Sequence, residues 1–264
     1  MIETTWRAFA DRWPRLRPPL RPHAAVRERM CELVAGSAER ALLLGVTPEL
    51  ADLASHTVAV DCSDGMLAAV WPGNSRTRQA IKGNWLHLPC ASSSFTVAIG
   101  DGSFNCLQYP EDYRQLCREL ARTLRPGGRV AMRFFVTPDR CESVEAARAR
   151  TMAGCLGSIH ALKWVLAHAI CRRTADPNVP VQTILDVFNH EFPDRRELEQ
   201  ATGWSQEDIG EIDAYDRMTD VFSFPTSSEI LSVIPRDFSH PHFVLAGTYD
   251  LAERCPLLVM ELTP

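Results

Sequence analysis

Five residues in the first quarter of the chain have the types and spacing of a ligand-binding segment. Gly45 precedes Thr47, Pro48 and Glu49, and Asp61 follows sixteen positions after the glycine. Glycine allows a ligand to approach the backbone closely, and the free N–H groups at a helix start can bind a carboxylate. An acidic side chain at a strand end accepts hydrogen bonds from both hydroxyls of a ribose. The pattern predicts a site for a nucleoside ligand that also carries a carboxylate.

Two further polar segments, 83–85 and 100–105, carry side chains suited to the same kind of ligand. Asn84 has an amide with one acceptor and one donor group, which suits the edge of an adenine. Asp101 and Asn105 lie in the second segment, with Ser103 between them. We expect this second segment to face the reacting part of a bound ligand.

The elements that position these residues are predicted from short apolar runs separated by amphipathic helices. Strands are predicted at 41–45, 56–61, 95–100 and 129–136, and a weaker one near 85–88. A helix is predicted over 112–124, with its apolar residues on one face. This alternation predicts an α/β fold with a mostly parallel sheet covered by helices on both faces. The polar segments then lie together at the carboxyl edge of the sheet, where open α/β sheets bind ligands.

Four regions are predicted from the changes of pattern along the chain. Residues 1–23 combine Trp6, Phe9 and Trp13 with a proline-rich stretch and are predicted to form a helical lid or strap. Residues 24–136 form the predicted core, and the mostly helical residues 137–240 form an insert that shapes the substrate pocket. Residues 241–264 complete the core with two strands, near 243–250 and 257–262, expected to pair antiparallel at the sheet edge.

The order of these segments resembles the class I S-adenosylmethionine (SAM) dependent methyltransferases. The most specific single feature is the turn Leu124-Arg125-Pro126-Gly127-Gly128 between the helix and the next strand. The resemblance runs from about Val34 to Val136 and resumes at the last two strands. It implies a Rossmann-like fold with an antiparallel carboxyl-terminal edge, SAM as cofactor and a transferase activity.

The resemblance also implies roles for individual residues. Gly45, with Thr47 and Glu49, would meet the methionine part of SAM, and Asp61 would hold the ribose. Met66 would pack on the adenine, and Asn84 and Trp85 would border it. The segment with Asp101, Ser103 and Asn105 would face the sulfonium and the substrate.

Three positions depart from the family pattern. One glycine stands in Gly45–Glu49 where the family has several, Asn84 stands where an acid is common, and Thr96 replaces a frequent acid inside the fourth strand. These departures leave the contacts at the methionine end open.

Three further candidates have a structural alternative, which the pattern favours for the first two. His160 lies on a helical stripe with Trp164 and His168, which is either a packing face or a source of a general base. Tyr215 either lines the substrate cavity or packs in a hairpin. Arg21 on the proline-rich strap, with Arg17, either clamps a carboxylate or is solvated. The candidate catalytic set is therefore Asp101, Asn105, His160 and Tyr215.

The leading functional hypothesis is transfer of the SAM methyl group to a small-molecule acceptor, in which the protein aligns a nucleophile behind the methyl carbon. A second hypothesis is cyclisation of SAM to azetidine-2-carboxylate with release of methylthioadenosine, motivated by the altered Gly45–Glu49 loop. A third is a SAM-binding protein without catalysis.

Composition narrows the range of partners. The net charge is −5, and no Lys/Arg-rich tract occurs, so no nucleic-acid partner is expected. No apolar run approaches the length of a membrane span, and nine cysteines without a C-x-x-C pair indicate a reducing, cytoplasmic location. No metal-ligand spacing occurs among the eight histidines, so no metal is expected. The oligomeric state stays open.

Overall fold

A seven-stranded sheet forms the centre of the computed structural model, which describes residues 12–264. Two aromatic residues of the predicted strap, Trp6 and Phe9, lie outside the described residues. The strand order is β3-β2-β1-β4-β5-β9-β8. The first five strands are parallel, and β9 and β8 are antiparallel to their neighbours. The predicted fold class, a mostly parallel Rossmann-like sheet with an antiparallel carboxyl-terminal edge, is confirmed.

The inner parallel strands of the sheet are mostly buried, as parallel strands covered on both faces must be. The bounds of the strands in this sheet are β1 Arg40–Leu44, β2 His56–Asp61, β3 Arg78–Lys82, β4 Phe95–Asp101, β5 Leu124–Arg133, β8 Phe238–Val244 and β9 Leu257–Leu262. Helices α1 Ala24–Val34, α2 Asp64–Ala69 and α3 Glu111–Thr123 pack around them. Helix α3 buries four residues on one face, as its spacing predicts: Tyr113, Leu116, Cys117 and Leu120.

The region after β5 is mostly helical, as its sequence predicts. It contains α4 Val144–Met152, α5 Ile159–Thr174, α6 Val181–Glu191, α7 Arg195–Thr202, α8 Gln206–Ile209 and α9 Ser227–Val233. Between these helices a small second sheet pairs β6 Asn178–Pro180 antiparallel with β7 Val221–Ser223. Among the described residues, no helix combines the length with the apolar composition that a membrane span requires.

Two predicted strands are misplaced. The strand expected near 85–88 is wrong, because the third strand of the sheet is Arg78–Lys82 and the later residues form a turn with one isolated bridge, Asn84 to His87. The strand expected at 243–250 runs instead from Phe238 to Val244. Both observed strands lie at sheet edges and contain polar residues, so a continuous apolar run does not mark them.

Asn105 fastens the small sheet of the insert to the end of β5. Its Nδ2 group donates to the carbonyl oxygens of Phe135 at 2.8 Å and Ser223 at 2.6 Å, and its Oδ1 accepts from the Phe135 N–H at 2.9 Å. The side chain is buried, so water cannot replace these bonds. Ser223 also bonds the carbonyl of Leu107 at 2.7 Å and the hydroxyl of Tyr113 at 2.9 Å. This cluster fixes β7 against the core.

We expect Asn105→Ala to lower the free energy of unfolding by about 2–4 kcal/mol, because three backbone groups, the Phe135 carbonyl and N–H and the Ser223 carbonyl, lose their bonds to the side chain. For a chain of this size that is a fall in Tm of at least about 5 °C. Calorimetry or circular dichroism measures the change, and Asn189→Ala on the exposed surface serves as the control. An unchanged Tm for Asn105→Ala would contradict the bridging role.

Candidate functional site

A cavity of about 390 Å³ opens at the carboxyl edge of the sheet. The ends of β1, β2 and β4 form its floor, and the segment from Trp13 to Leu20 lies along one side. Residues of the predicted insert complete the wall: Asp220 just before β7, Phe222 within β7, and Trp164 in α5. The cavity therefore lies where the sequence predicts a ligand.

Gly45 and Asp61 lie next to each other at the start of this cavity. Gly45 has a φ of +94°, and a Cβ there would stand 3.9 Å from Asp61 Oδ2 and 3.8 Å from the ring of Trp85. The Gly45 N–H donates to the Val60 carbonyl at 2.8 Å, and Asp61 Oδ1 accepts the Ser63 N–H at 2.9 Å. A glycine is needed because the positive φ is strained for other residues. The turn thus leaves the Oδ2 side of the carboxylate accessible beside a bare backbone.

Burial changes the acidity of Asp61. The residue is 7% exposed, and desolvation raises its pKa from 3.8 to about 6, although hydrogen bonds from the Ser63 and Cys62 backbone oppose the rise. The carboxylate is therefore ionised at neutral pH at a cost to the folded state. A ligand that donates hydrogen bonds to it offsets that cost.

The residues expected around an adenine lie together on one side of the cavity. Trp85 Nε1 donates to the Val60 carbonyl at 2.6 Å, which holds the indole against the end of β2. Asn84 Oδ1 accepts the Leu86 N–H at 2.9 Å. Met66, on α2, is 6% exposed and lines the cavity with both of them. An aromatic ring and a thioether offer flat apolar surfaces to a purine.

Asp101 lines the opposite part of the cavity as one half of a buried ion pair. Its Oδ1 accepts from Arg133 Nε, and the two side chains are 4% and 0% exposed. Arg133 also donates to the Leu20 carbonyl at 3.0 Å and lies over the ring of Phe135. Burial raises the pKa of Asp101, and the guanidinium opposes that rise. The pair fixes Asp101 beside the segment that carries Leu20.

Two hydroxyl residues of the expected site also line the cavity. Ser103 Oγ donates to the Leu44 carbonyl at 2.8 Å, which joins the ends of β1 and β4. Thr47 is 6% exposed, and its side chain makes no capping bond to the short turn Pro48–Leu50 that follows. Asn105 lines the cavity as well, although its amide is engaged by the backbone bonds described above.

Arg21 and Glu49 lie outside the lining and pair with each other. Arg21 Nε donates to Glu49 Oε1 at 2.5 Å, and the guanidinium stands 5.9 Å from the centroid of the Trp13 ring. The other carboxylate oxygen, Oε2 of Glu49, is buried without a hydrogen-bond partner in the described part of the chain. This pair holds the Trp13–Leu20 segment to the Gly45 turn.

His160 and Tyr215 are buried behind the cavity wall rather than in it. His160 is 2% exposed, and desolvation lowers its pKa to about 3, so its imidazole is neutral at physiological pH. Tyr215 lies under Lys163, whose Nζ stands 4.6 Å from the ring centroid and donates to the Glu211 carbonyl at 2.8 Å. Neither residue is brought to the other candidate side chains, and a catalytic role for them stays a prediction.

Sequence reasoning missed one charged residue of the lining, Asp220, and several apolar ones. Leu16, Leu20, Cys62, Cys106, Phe135 and Phe222 line the cavity beside it. Asp220 precedes a three-residue strand that has no strong sequence signal. The sequence gives one signal for this part of the lining. Trp164 lies one turn after His160 on the same helical stripe, and its ring lines the cavity.

Comparison with known proteins matches this arrangement. The profile of a family described as a methyltransferase domain fits residues 45–132, from the Gly45 turn to β5. Residues 45–132 thus resemble the methyltransferase domain of SAM-dependent enzymes, and the match ends within β5. The N-methyltransferase NodS from Bradyrhizobium japonicum WM9, solved with S-adenosyl-L-homocysteine, has the same fold, with a TM-score of 0.52 at 12% identity over 98% of each chain.

Two curated methyltransferases match part of the chain. The demethylmenaquinone methyltransferase of Corynebacterium glutamicum (strain R) is 38% identical over 112 residues, which is 42% of this chain and 43% of that protein. That of Mycobacterium marinum is 37% identical over the same length. The chain thus aligns with less than half the length of these relatives, so their acceptor is not transferred by the match.

Asp61→Asn should stabilise the ligand-free protein at neutral pH by about 1–2 kcal/mol. The folded-state pKa of about 6 lies above the ordinary 3.8, so the folded form holds the proton more tightly than the unfolded form. Wild-type stability therefore falls as the pH rises between these two values, and the amide variant lacks that fall. Urea unfolding from roughly pH 4 to pH 8 measures the difference.

The half-exposed Asp64, which pairs with Lys82, provides the control for this experiment. Asp64→Asn should change stability by less than about 1 kcal/mol, because exposed ion pairs contribute little. If the difference in unfolding free energy between the wild type and Asp61→Asn does not vary with pH, the carboxylate at position 61 is not destabilised by burial.

Proposed function

We propose that the protein transfers the methyl group of SAM to a small-molecule acceptor. The observation that carries the proposal is the pairing of Gly45 with the buried Asp61 at the carboxyl edge, inside a methyltransferase domain. The residues present fit SAM: Asp61 offers a carboxylate to a ribose, and Met66 and Trp85 offer apolar surfaces to an adenine. The bare backbone at Gly45 suits the carboxylate of the methionine part. The Asp101 carboxylate suits its ammonium.

SAM supplies an electrophilic methyl group on a sulfonium, so the protein need only bind, align and exclude water. The cavity suits this task because its walls beyond the carboxylates are largely apolar. Phe135 and Trp164, with ring centroids 4.7 Å apart, close the side formed by the insert. A dry wall strengthens the electrostatic interactions of the carboxylates with a bound cation.

We further propose the division of labour expected from the sequence. Residues 1–23 act as a lid, supported by the contact of Leu16 and Leu20 with the cavity, and residues 137–240 shape the acceptor pocket. Residues 24–136 and 241–264 supply the core. The net charge of −5 favours a small-molecule acceptor over a nucleic acid, and the nine unpaired cysteines fit a cytoplasmic enzyme.

The relatives named as demethylmenaquinone methyltransferases offer a first acceptor to test. The purified protein is incubated with SAM alone and with SAM plus a demethylmenaquinol or a panel of small aromatic amines and phenols. The proposal expects S-adenosylhomocysteine to form only when an acceptor is present. Methylthioadenosine and azetidine-2-carboxylate from SAM alone would instead establish the cyclisation hypothesis, which stays a prediction.

Asp61→Ala should weaken SAM binding about ten- to hundredfold, because charge-assisted hydrogen bonds contribute roughly 1.5–3 kcal/mol. Isothermal titration calorimetry with SAM and with S-adenosylhomocysteine measures the loss. Asp64→Ala, on the exposed side of α2, is the matched control and should bind both ligands as the wild type does. An unchanged Kd for a folded Asp61→Ala variant would remove Asp61 from the site.

A further inference from the structure

Asp220 is a carboxylate in the cavity wall that neither the family pattern nor the candidate set includes. Its Oδ2 atom is buried and has no hydrogen-bond partner among the described residues. A buried polar atom without a partner costs free energy, and a buried charge costs more. A ligand that donates a hydrogen bond to Asp220 Oδ2 would offset this cost.

The backbone holds Asp220 firmly in this position. Its carbonyl accepts the Val181 N–H at 3.0 Å, at the start of α6. The next three residues form β7, whose last carbonyl, at Ser223, is bonded by the Asn105 amide. The carboxylate is therefore presented by a strand fastened to the core, and not by a loose surface loop.

The surroundings of Asp220 leave its charge without a counterion. The described residues that line the cavity include no Arg, Lys or His. Asp61 and the thiols of Cys62 and Cys106 are the other acidic groups nearby. Burial raises the pKa of Asp220, as expected for a carboxyl group with no cation to favour its charged form.

A count of charges indicates what the cavity lacks. Asp101 is balanced by Arg133, which leaves Asp61 and Asp220. SAM has a sulfonium, an ammonium and a carboxylate, so it brings one net positive charge and balances one of the two. The aromatic rings of Phe135, Trp164 and Phe222 stand in the same wall, and such rings attract cations through their faces.

We infer that Asp220 selects the acceptor, and that the acceptor carries a protonated amine on a flat apolar body. Since an ammonium nitrogen has no lone pair, it serves for recognition, and a different nucleophilic atom of that body forms the bond to the methyl carbon while the S–CH3 bond breaks and S-adenosylhomocysteine leaves. This inference rests on the proposed methyl transfer, because it assigns the second ligand of that same cavity. Asp220 provides the hydrogen-bond acceptor for the ammonium, and the aromatic wall covers the apolar body. Acidic acceptors are repelled by the same carboxylate.

Three matched probes test the inference: tyramine, 3-(4-hydroxyphenyl)propionate and 4-ethylphenol, which share a phenol and differ in the charge of the side arm. Their binding to the protein saturated with S-adenosylhomocysteine is measured by calorimetry. Tyramine should bind at least about tenfold more tightly than the acid and the neutral probe. In Asp220→Asn the tyramine affinity should fall about tenfold, while the Kd of S-adenosylhomocysteine changes less than about twofold.

Asp216→Asn, an exposed carboxylate four residues earlier, is the matched control and should leave all affinities unchanged. Equal binding of the three probes, or no binding of any up to about 10 mM, overturns the inference while intact S-adenosylhomocysteine binding keeps the proposed function. An equal loss of affinity for S-adenosylhomocysteine in Asp220→Asn also overturns the inference, because Asp220 then contacts SAM rather than the acceptor. A wild type that binds neither SAM nor S-adenosylhomocysteine rejects both proposals.

Discussion

The buried pair of Arg133 and Asp101 is the interaction on which the cavity depends. Arg133 ends β5 with no solvent contact, so its charge must be met by groups from three parts of the chain: Asp101 of β4, the Leu20 carbonyl, and the Tyr249 hydroxyl at 3.5 Å. Removing one partner of such a pair costs about 3–5 kcal/mol, because the other charge is left buried. The pair therefore fixes the amino-terminal segment and the carboxyl-terminal region against the same sheet edge.

Because Asp101 is balanced within the protein, the remaining carboxylates of the cavity determine what it can bind. Asp61 and Asp220 are both partly or wholly desolvated without a cation in the described lining. This arrangement lowers the stability of the free protein and favours cationic ligands, as expected where a site is built for function rather than for folding. The proposed SAM site and the inferred amine pocket are two consequences of one electrostatic arrangement.

The sequence predicts the parts of this structure that depend on strong local patterns. The apolar runs place β1, β2 and β4 closely, and the acid after β2 and the glycine after β1 indicate the cavity. Edge strand β3 and the start of β8 are not predicted, because polar residues interrupt the apolar pattern that would mark a strand. Asp220 is not predicted because its position depends on the pairing of β7 with β6 and on the bond from Asn105 to the Ser223 carbonyl, which joins residues 118 positions apart. Likewise, the pairing of Arg21 with Glu49 depends on the tertiary structure and cannot be predicted from the sequence pattern.

A crystal structure of the protein with S-adenosylhomocysteine tests the central claim most directly. We expect the ribose hydroxyls to lie within hydrogen-bond distance of Asp61 and the adenine to lie between Met66 and Trp85. The aromatic pocket beside Asp220 should then remain open next to the sulfur. Binding outside the carboxyl edge, or a nucleoside that leaves Asp61 without a contact, would contradict the proposed SAM site.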